Sequence, residues 1–198
     1  MSVLNELPFS MPLGMAIGGR RSVRNYRPDT VDRSTVEQLL LAAVRAPTGI
    51  HRESCAFVVV QDKSVLKRLS DRAKPQFLDE MQRALVQRTG HGTNIFAEPD
   101  FNVFYNAGTL IILCGLRSAP FVLADCWLAA ENILLAAYAA GLGSCLIGAA
   151  VSALNEEQSR RELHIPATHT VVAPIIVGVP TEEHFPFEGK APRVLHWQ

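Results

Sequence analysis

The fold depends most on residues 124–148, which read ADCWLAAENILLAAYAAGLGSCLIG. Alanine and leucine dominate residues 124–140, and both are strong helix formers. This helix is apolar nearly all round, so we expect it in the core or at a subunit interface. Gly141 and Gly143 should end it, because glycine tolerates the left-handed cap. The small residues up to Gly148 would let the backbone approach a flat ligand, or would simply connect the helix to a strand.

Shorter elements surround this helix. The sequence Ser34-Thr35-Val36-Glu37 has the form of a capping box and predicts a helix start, and Pro47-Thr48-Gly49 should stop that helix. We predict buried strands at 56–60, 110–114 and 170–177, and helices at 64–73, around Phe77, Met81 and Leu85, and at 155–164 with Asn155 as cap. Because helices and strands mix without strict alternation, the sequence predicts an α+β fold.

Composition narrows the class of protein. The 198 residues predict one domain over 1–198, and the balance of 19 Lys+Arg against 19 Asp+Glu argues against binding to nucleic acid or to an anionic membrane. Residues 124–140 are interrupted by charged and polar side chains, so we predict no membrane span. The four cysteines form no CxxC pair, and we read them as buried thiols of a cytoplasmic protein.

Two polar segments are candidates for ligand binding. Arg20, Arg21, Ser22 and Arg24 follow two glycines, and the planar guanidinium grips a phosphate at two points, although a solvated basic turn explains the segment as well. The turn from Pro47 to Cys55 joins a predicted helix to a strand, where ligand contacts often sit. Its His51 would suit acid–base work, but a lone histidine beside a loop is more often structural.

Other reaction classes find no support in the sequence. It holds no GxSxG elbow, no HExxH and no phosphate-binding loop, and the histidines show no metal-ligand spacing. Gly141-Leu142-Gly143 follows a helix instead of a strand, which rejects a dinucleotide fingerprint.

Taken in order, these segments resemble the nitroreductase family of FMN-dependent oxidoreductases. The resemblance lies in Arg20-Arg21-Ser22-Val23-Arg24-Asn25-Tyr26, Ala46-Pro47-Thr48-Gly49, Glu131-Asn132-Ile133-Leu134-Leu135-Ala136-Ala137, Gly141-Leu142-Gly143-Ser144-Cys145-Leu146-Ile147-Gly148, Ile175-Ile176-Val177-Gly178-Val179-Pro180 and Lys190-Ala191-Pro192-Arg193. It implies a mixed sheet flanked by helices, with the long buried helix at the interface of a homodimer.

The resemblance also implies a chemistry. Hydride would pass from NADH or NADPH through flavin N5 to a small electron-poor acceptor, such as a nitroaromatic or a quinone, by a ping-pong mechanism. FMN would lie at the subunit interface and carry the chemistry, so no catalytic side chain is expected. The implied cofactor-binding residues are Arg20, Arg21, Ser22, Arg24, Pro47, Thr48, Gly49, His51, Leu146, Ile147, Gly148 and Lys190.

Within that reading, the residues have distinct roles. Arg20 and Lys190 would hold the phosphate, Arg24 would reach the flavin pyrimidine edge, and Ile147 and Gly148 would offer backbone amides near N5. The turn 47–51 would come from the other subunit. The family often has Asn-x-Gln-Pro-Trp where this chain has His51-Arg52-Glu53-Ser54-Cys55. That departure keeps open the alternative of a flavin storage, sensing or flavin-consuming protein without general reductase activity. A third alternative is that the arginine cluster is a surface feature and the chain is an interaction module without a cofactor.

Overall fold

The computed structural model describes residues 7–50, 55–89, 101–182 and 191–198. Its helices are α1 (Leu13–Gly19), α2 (Arg33–Ala43), α3 (Lys63–Thr89), α4 (Val122–Ala139), α5 (Val151–Asn155) and α6 (Glu157–Glu162), with a short 3-10 turn at Gly148–Ala150. Its strands are β1 (Cys55–Val60), β2 (Thr109–Leu116), β3 (Gly143–Leu146) and β4 (His169–Gly178).

The four strands form one sheet between two helical layers. The strand order is β1-β2-β4-β3, and each neighbouring pair is antiparallel. Side chains alternate between the faces of a strand. Ile111 and Leu113 therefore pack with α2 and α4 on one face, whereas Leu110 and Ile112 pack with α3 and α5 on the other. Because β2 is buried on both faces, its sequence is a continuous apolar run.

The predicted α+β class is confirmed, with helices on both faces of the sheet. The parallel component is small in the described residues: an isolated bridge joins Ser22 to Ser144. The central helix is also confirmed, and it ends where the glycine pattern placed its end. Gly141 has φ +74°, and the amide of Leu142 donates to the carbonyl of Ala137 at 2.8 Å. This is the left-handed cap that glycine favours.

Helix α4 has the composition of a core helix. Its 18 residues have a mean hydropathy of 1.4, so by length and composition alone it could cross a membrane, contrary to our reading of the sequence. In the fold, 44% of that stretch is buried, and the helix packs on α2, β2 and β4. A partly buried polar side chain of this helix is used within the fold: the Asn132 amide donates to the carbonyl of Ala42 at 3.0 Å.

The predicted capping box at Ser34 was wrong. Asp32 is the N-cap of α2, and its carboxylate accepts from the Thr35 amide at 2.9 Å and from the Ser34 and Thr35 hydroxyls at 2.6 Å. These hydrogen bonds lower the pKa of Asp32 to about 2, that of Ser34 contributing most. A charged acceptor two residues earlier satisfies the helix start better than the serine hydroxyl.

Two other helix predictions need correction. The helices predicted at 64–73 and around Phe77 are one helix, α3, which continues through Pro75 because Leu69, Ala73 and Phe77 all bury against the core on both sides of the proline. The helix predicted at 155–164 is the shorter α6, Glu157–Glu162, and a separate helix, α5, ends at Asn155. Asn155 is the last residue of α5 and does not cap a helix start. Its side-chain nitrogen donates to the carbonyl of Val171 in β4, and its Oδ1 accepts from the Val171 amide, both at 2.9 Å.

Candidate functional site

The segment that carries the arginines lies along the edge of the sheet beside β3. The amide of Val23 donates to the carbonyl of Ser144 at 3.0 Å, and the amide of Arg27 donates to the carbonyl of Val179 at 2.9 Å. The Tyr26 hydroxyl returns to the carbonyl of Val23 at 2.6 Å. Burial raises the pKa of Tyr26, so this hydroxyl stays protonated and keeps donating. The backbone that presents the arginines is thus fixed by the sheet.

Three glycines make this close approach possible. A Cβ on Gly143 would lie 2.8 Å from the Val23 side chain, and one on Gly178 would lie 2.9 Å from the Tyr26 ring. A Cβ on Gly108 would lie 2.1 Å from the carbonyl oxygen of Asp29, farther along the same segment. Real Cβ atoms do not approach other atoms this closely. We call Gly143, Gly178 and Gly108 the row of glycines, because a side chain at any of them would displace the segment.

The structure predicts the cost of filling one of these positions. Gly143→Ala should lower the free energy of unfolding by about 1–3 kcal/mol, because the new methyl group would overlap the buried Val23 side chain, and the Val23 backbone is held in place by its amide hydrogen bond to the Ser144 carbonyl. Urea denaturation measures this. The matched control is Gly14→Ala, since a Cβ there meets nothing within 4 Å. Equal stability of the two variants would contradict the row of glycines as a packing requirement.

A cavity of about 330 Å³ brings Arg24 to the segment after α4. Its lining comprises Arg24, Phe77, Glu80, Tyr105, Cys145, Leu146, Ile147, Gly148 and Ala149. Two candidate segments more than a hundred residues apart therefore meet in one place. Gly148 is exposed, and a Cβ there would meet nothing within 4 Å. Its surface is open to a ligand.

Aromatic rings form one wall of this cavity. The Arg24 guanidinium lies 5.9 Å from the centroid of the Tyr105 ring, within cation–π distance. Tyr105 meets Phe101 edge-on at 5.7 Å, and Phe101 lies 5.2 Å from Phe77. Our sequence reasoning missed Tyr105, Phe77 and Glu80 as site residues. The apolar stripe of α3 marked Phe77 as buried, but no spacing signals that Tyr105, with φ +51°, faces an arginine far away in the chain.

The electrostatics of the cavity are set by one cation and one carboxylate. Burial raises the pKa of Tyr105 and that of Cys145, so both stay neutral near pH 7. Arg24 and Glu80 are then the charged side chains in the described lining. Since Cys145 is a protonated buried thiol, it is a poor nucleophile. The described lining therefore places one positive charge beside an aromatic wall, with one carboxylate at the same cavity.

Arg20 and Arg21 are not in the lining of this cavity. Arg20 Nε lies 3.6 Å from Glu131 Oε1 on α4. Arg21 lines a second cavity of about 450 Å³ together with Tyr138 and Gly143, and its guanidinium donates to the carbonyl of Arg20 at 2.5 Å. Ser22 is exposed at the start of the same segment. The segment thus presents three guanidiniums in different directions along one edge.

The structure differs from the role that the resemblance implies for the Ile147 amide. The amide of Ile147 donates to the carbonyl of Pro174 at 2.9 Å, so it is engaged in the sheet and is not offered to a ligand. Ile147 lines the cavity with its apolar side chain instead, and Leu146 is half-buried beside it. Gly148 remains the candidate amide. His51, Lys190 and the whole His51-to-Ser54 departure lie outside the described residues.

The turn Pro47-Thr48-Gly49 lies elsewhere, at the N-terminal end of α4. The amide of Gly49 donates to Asp125 Oδ1 at 3.0 Å, and a Cβ on Gly49 would lie 2.6 Å from the Phe121 ring. All three turn residues are exposed. Neither of the two cavities beside the arginines is lined by the turn. In the described part of one chain, the predicted site is therefore in two separate halves.

Comparison with known proteins shows which family the chain belongs to. The model of the Nitroreductase family matches residues 17–179. A protein of Archaeoglobus fulgidus with the provisional name NADH dehydrogenase/NAD(P)H nitroreductase is 28% identical over 83% of each chain. An FMN reductase [NAD(P)H] of Bacillus subtilis is 26% identical over 88% of this chain and 66% of its own.

The solved structures agree with the sequence relatives. The crystal structure of a nitroreductase with bound FMN from Bacteroides fragilis superposes with a TM-score of 0.75 and 26% identity, covering 95% of this chain and 98% of that one. The arginine segment and the glycine-rich segment that meet at the cavity both fall within the matched residues. The chain belongs to the nitroreductase family.

Proposed function

We propose that this single domain is an FMN-dependent oxidoreductase that takes a hydride from NADH or NADPH and passes it to a small electron-poor acceptor. The observation that carries the proposal is the cavity in which Arg24 meets Leu146, Ile147 and Gly148 in a chain of this family. The relatives named NAD(P)H nitroreductase and FMN reductase support the donor, and the FMN-bound neighbour supports the cofactor.

The residues present are suited to a flavin. Arg24 supplies a cation, the Tyr105 ring supplies a flat wall, and the bare Gly148 leaves room for close approach. Bound FMN supplies hydride transfer at its N5 atom, a chemistry that no side chain offers. The protein has only to bind, orient and shield, and for that reason the cavity needs no pair of nucleophile and base.

The arginines divide this work. Arg24, at the cavity, would hold negative charge at the flavin pyrimidine edge, and Arg21 and Ser22 stay predicted cofactor contacts from the same segment. Arg20 would hold the phosphate. Its ion pair with Glu131 is long, at 3.6 Å, and half of the Glu131 side chain is exposed, so the pair contributes little stability. The guanidinium can therefore turn to a phosphate at low cost. Lys190 stays a predicted second phosphate ligand.

We further propose that a second copy of the chain completes the site. One face of α4 leaves apolar side chains in solvent, among them Leu123, Trp127 and Leu128, with 45–59% of each exposed. This face runs from Phe121, beside the Pro47–Gly49 turn, to Glu131, beside Arg20, a span of about 15 Å. If two such faces pack about a two-fold axis, the turn of one copy lies next to the arginines of the other.

This arrangement explains why the two halves of the site are apart in one chain. The second copy would also cover the exposed apolar face of α4, since soluble monomers rarely leave large apolar patches uncovered. We place the dimer in the cytoplasm, in line with the reduced state of Cys55, Cys114, Cys126 and Cys145.

Spectroscopy tests the proposed function. The purified protein should be yellow with the absorbance of bound flavin, NADH or NADPH should bleach it without oxygen, and a nitroaromatic or quinone should restore the colour. Initial rates at varied donor and acceptor concentrations should give the parallel reciprocal plots of a ping-pong mechanism. A protein that binds FMN but is bleached by neither nucleotide would instead be a storage or sensing protein.

A further inference from the structure

Two cysteines meet on the face of the sheet that α4 covers. The Sγ atoms of Cys55 and Cys126 lie 3.0 Å apart, although the two residues are 71 positions apart in the chain. Cys55 is the first residue of β1 and is half-buried, whereas Cys126 lies in the first half of α4 and is fully buried. Neither residue forms a disulfide.

A glycine makes room for this contact. Cys55 pairs with Gly115 across β1 and β2. A Cβ on Gly115 would lie 3.2 Å from Cys126 Sγ and 2.2 Å from the side chain of Val122, so a larger residue would push α4 and its thiol away from the strand. The two sulfur atoms therefore meet because the position opposite Cys55 has no side chain.

The two thiols are not equivalent. The hydrogen bond with Cys55, and then burial, raise the pKa of the Cys126 thiol, so Cys126 keeps its proton. Cys55 is the partner with surface exposed to solvent. This is the usual division between a cysteine that reacts first and a cysteine that resolves the product.

The neighbouring cysteine provides a contrast. Cys114 precedes Gly115 in β2, and since strand side chains alternate, it lies on the opposite face of the sheet, in the core with Leu110 and Ile112. Burial raises the pKa of Cys114 to about 11. The sheet thus separates a third thiol from the Cys55–Cys126 pair.

We propose that Cys55 and Cys126 are a reversible oxidation site that takes a peroxide as its oxidant. Hydrogen peroxide oxidises the Cys55 thiol to a sulfenic acid and is itself reduced to water. The Cys126 sulfur then attacks the Cys55 sulfur while its proton passes to the sulfenic oxygen, so the S–S bond forms, the S–O bond breaks, and that oxygen leaves as a second water. Two thiols have lost two electrons and two protons in all, and one peroxide has taken them up.

Closure requires little movement. A disulfide bond is about 2.05 Å long, so the two sulfur atoms must approach by roughly 1 Å. The bond would join β1 to α4 next to Asp125, which holds the Gly49 amide. Gly49 and Cys55 are thus both attached to adjacent residues of α4, at 125 and 126, and oxidation would make one of these attachments covalent.

Peptide mapping of the full-length protein tests the proposal. The reduced protein is treated with hydrogen peroxide, quenched in acid, alkylated and digested without reductant. We expect the loss of two alkylatable thiols per chain, a linked peptide that contains residues 55 and 126, and full reversal by dithiothreitol. The Tm of the oxidised protein should exceed that of the reduced protein, because the cross-link restricts the unfolded chain.

Variants sharpen the test. Cys114→Ser should keep the linked peptide, since Cys114 lies on the other face of the sheet. Cys126→Ser should lose it and leave a Cys55 sulfenic acid that dimedone traps. Retention of four alkylatable thiols in the wild-type protein after peroxide would overturn the proposal. So would a link from Cys55 to any cysteine other than Cys126 of the same chain, and the wild-type map decides this even if a variant fails to fold.

Discussion

Trp127→Glu should turn the proposed dimer into a monomer that no longer retains FMN. Trp127 is 45% exposed at the centre of the apolar face of α4, with Leu123 one turn before it. In a two-fold interface each substitution acts twice, and the two introduced carboxylates would be desolvated close to each other. The Pro47–Gly49 turn of one copy would then leave the arginines of the other, and the flavin would lose half of its contacts.

Two measurements on the same sample check this. Size-exclusion chromatography with light scattering gives the mass in solution against the 21.7 kDa of one chain, and the absorbance of the eluted peak gives the flavin content. Trp127→Phe is the matched control, because it keeps an aromatic side chain on the face and should keep both dimer and flavin. A monomeric Trp127→Glu protein that still binds FMN tightly would show that one chain holds the whole site.

Arg24→Ala should weaken FMN binding by about tenfold and slow flavin reduction by NADH or NADPH by about 100-fold. The first effect is the loss of a charge-assisted hydrogen bond to the ligand, and the second is the loss of a fixed positive charge where negative charge develops. Arg24 is suited to both because it lines the cavity and stacks on Tyr105. Fluorescence titration measures the affinity, and anaerobic stopped-flow absorbance measures the reduction.

Two control variants separate the effect of the Arg24 charge from the effect of its planar hydrogen-bonding geometry. Arg24→Lys keeps the charge but loses the planar fork, so it should recover part of the reduction rate and little of the affinity. Arg33→Ala removes a guanidinium that is 91% exposed and bonds Glu37 on α2, and it should leave both quantities unchanged. If Arg24→Ala matched the wild type in both, Arg24 would have no role at the flavin.

The parts of the fold that follow from short stretches could be predicted from the sequence. The apolar run of α4 and the glycines after it specify a helix and its cap locally, and β2 is apolar because both of its faces are covered. The prediction failed where a distant contact decides the outcome. Pro75 does not break α3 because Leu69 and Phe77 hold the helix to the core on both sides.

The same distinction holds for the candidate site. Arg24 and Gly148 could be named as candidates because each lies in a motif that is recognisable within a few residues. Tyr105 was not, because its place opposite Arg24 depends on how β2 and the arginine segment pack. The engagement of the Ile147 amide by Pro174 was likewise invisible, since it depends on the pairing of β3 with β4.

The row of glycines under the arginine segment has a consequence for how the protein is made. Val23 lies over Gly143 of β3 and Tyr26 lies over Gly178 at the end of β4, so the proposed ligand-binding segment near the start of the chain is positioned by the last two strands described. Contacts between such distant residues form late. A chain whose synthesis stops before β4 has all three arginines but no surface on which to align them. If these arginines bind FMN as proposed, a chain that ends before β4 should not retain it.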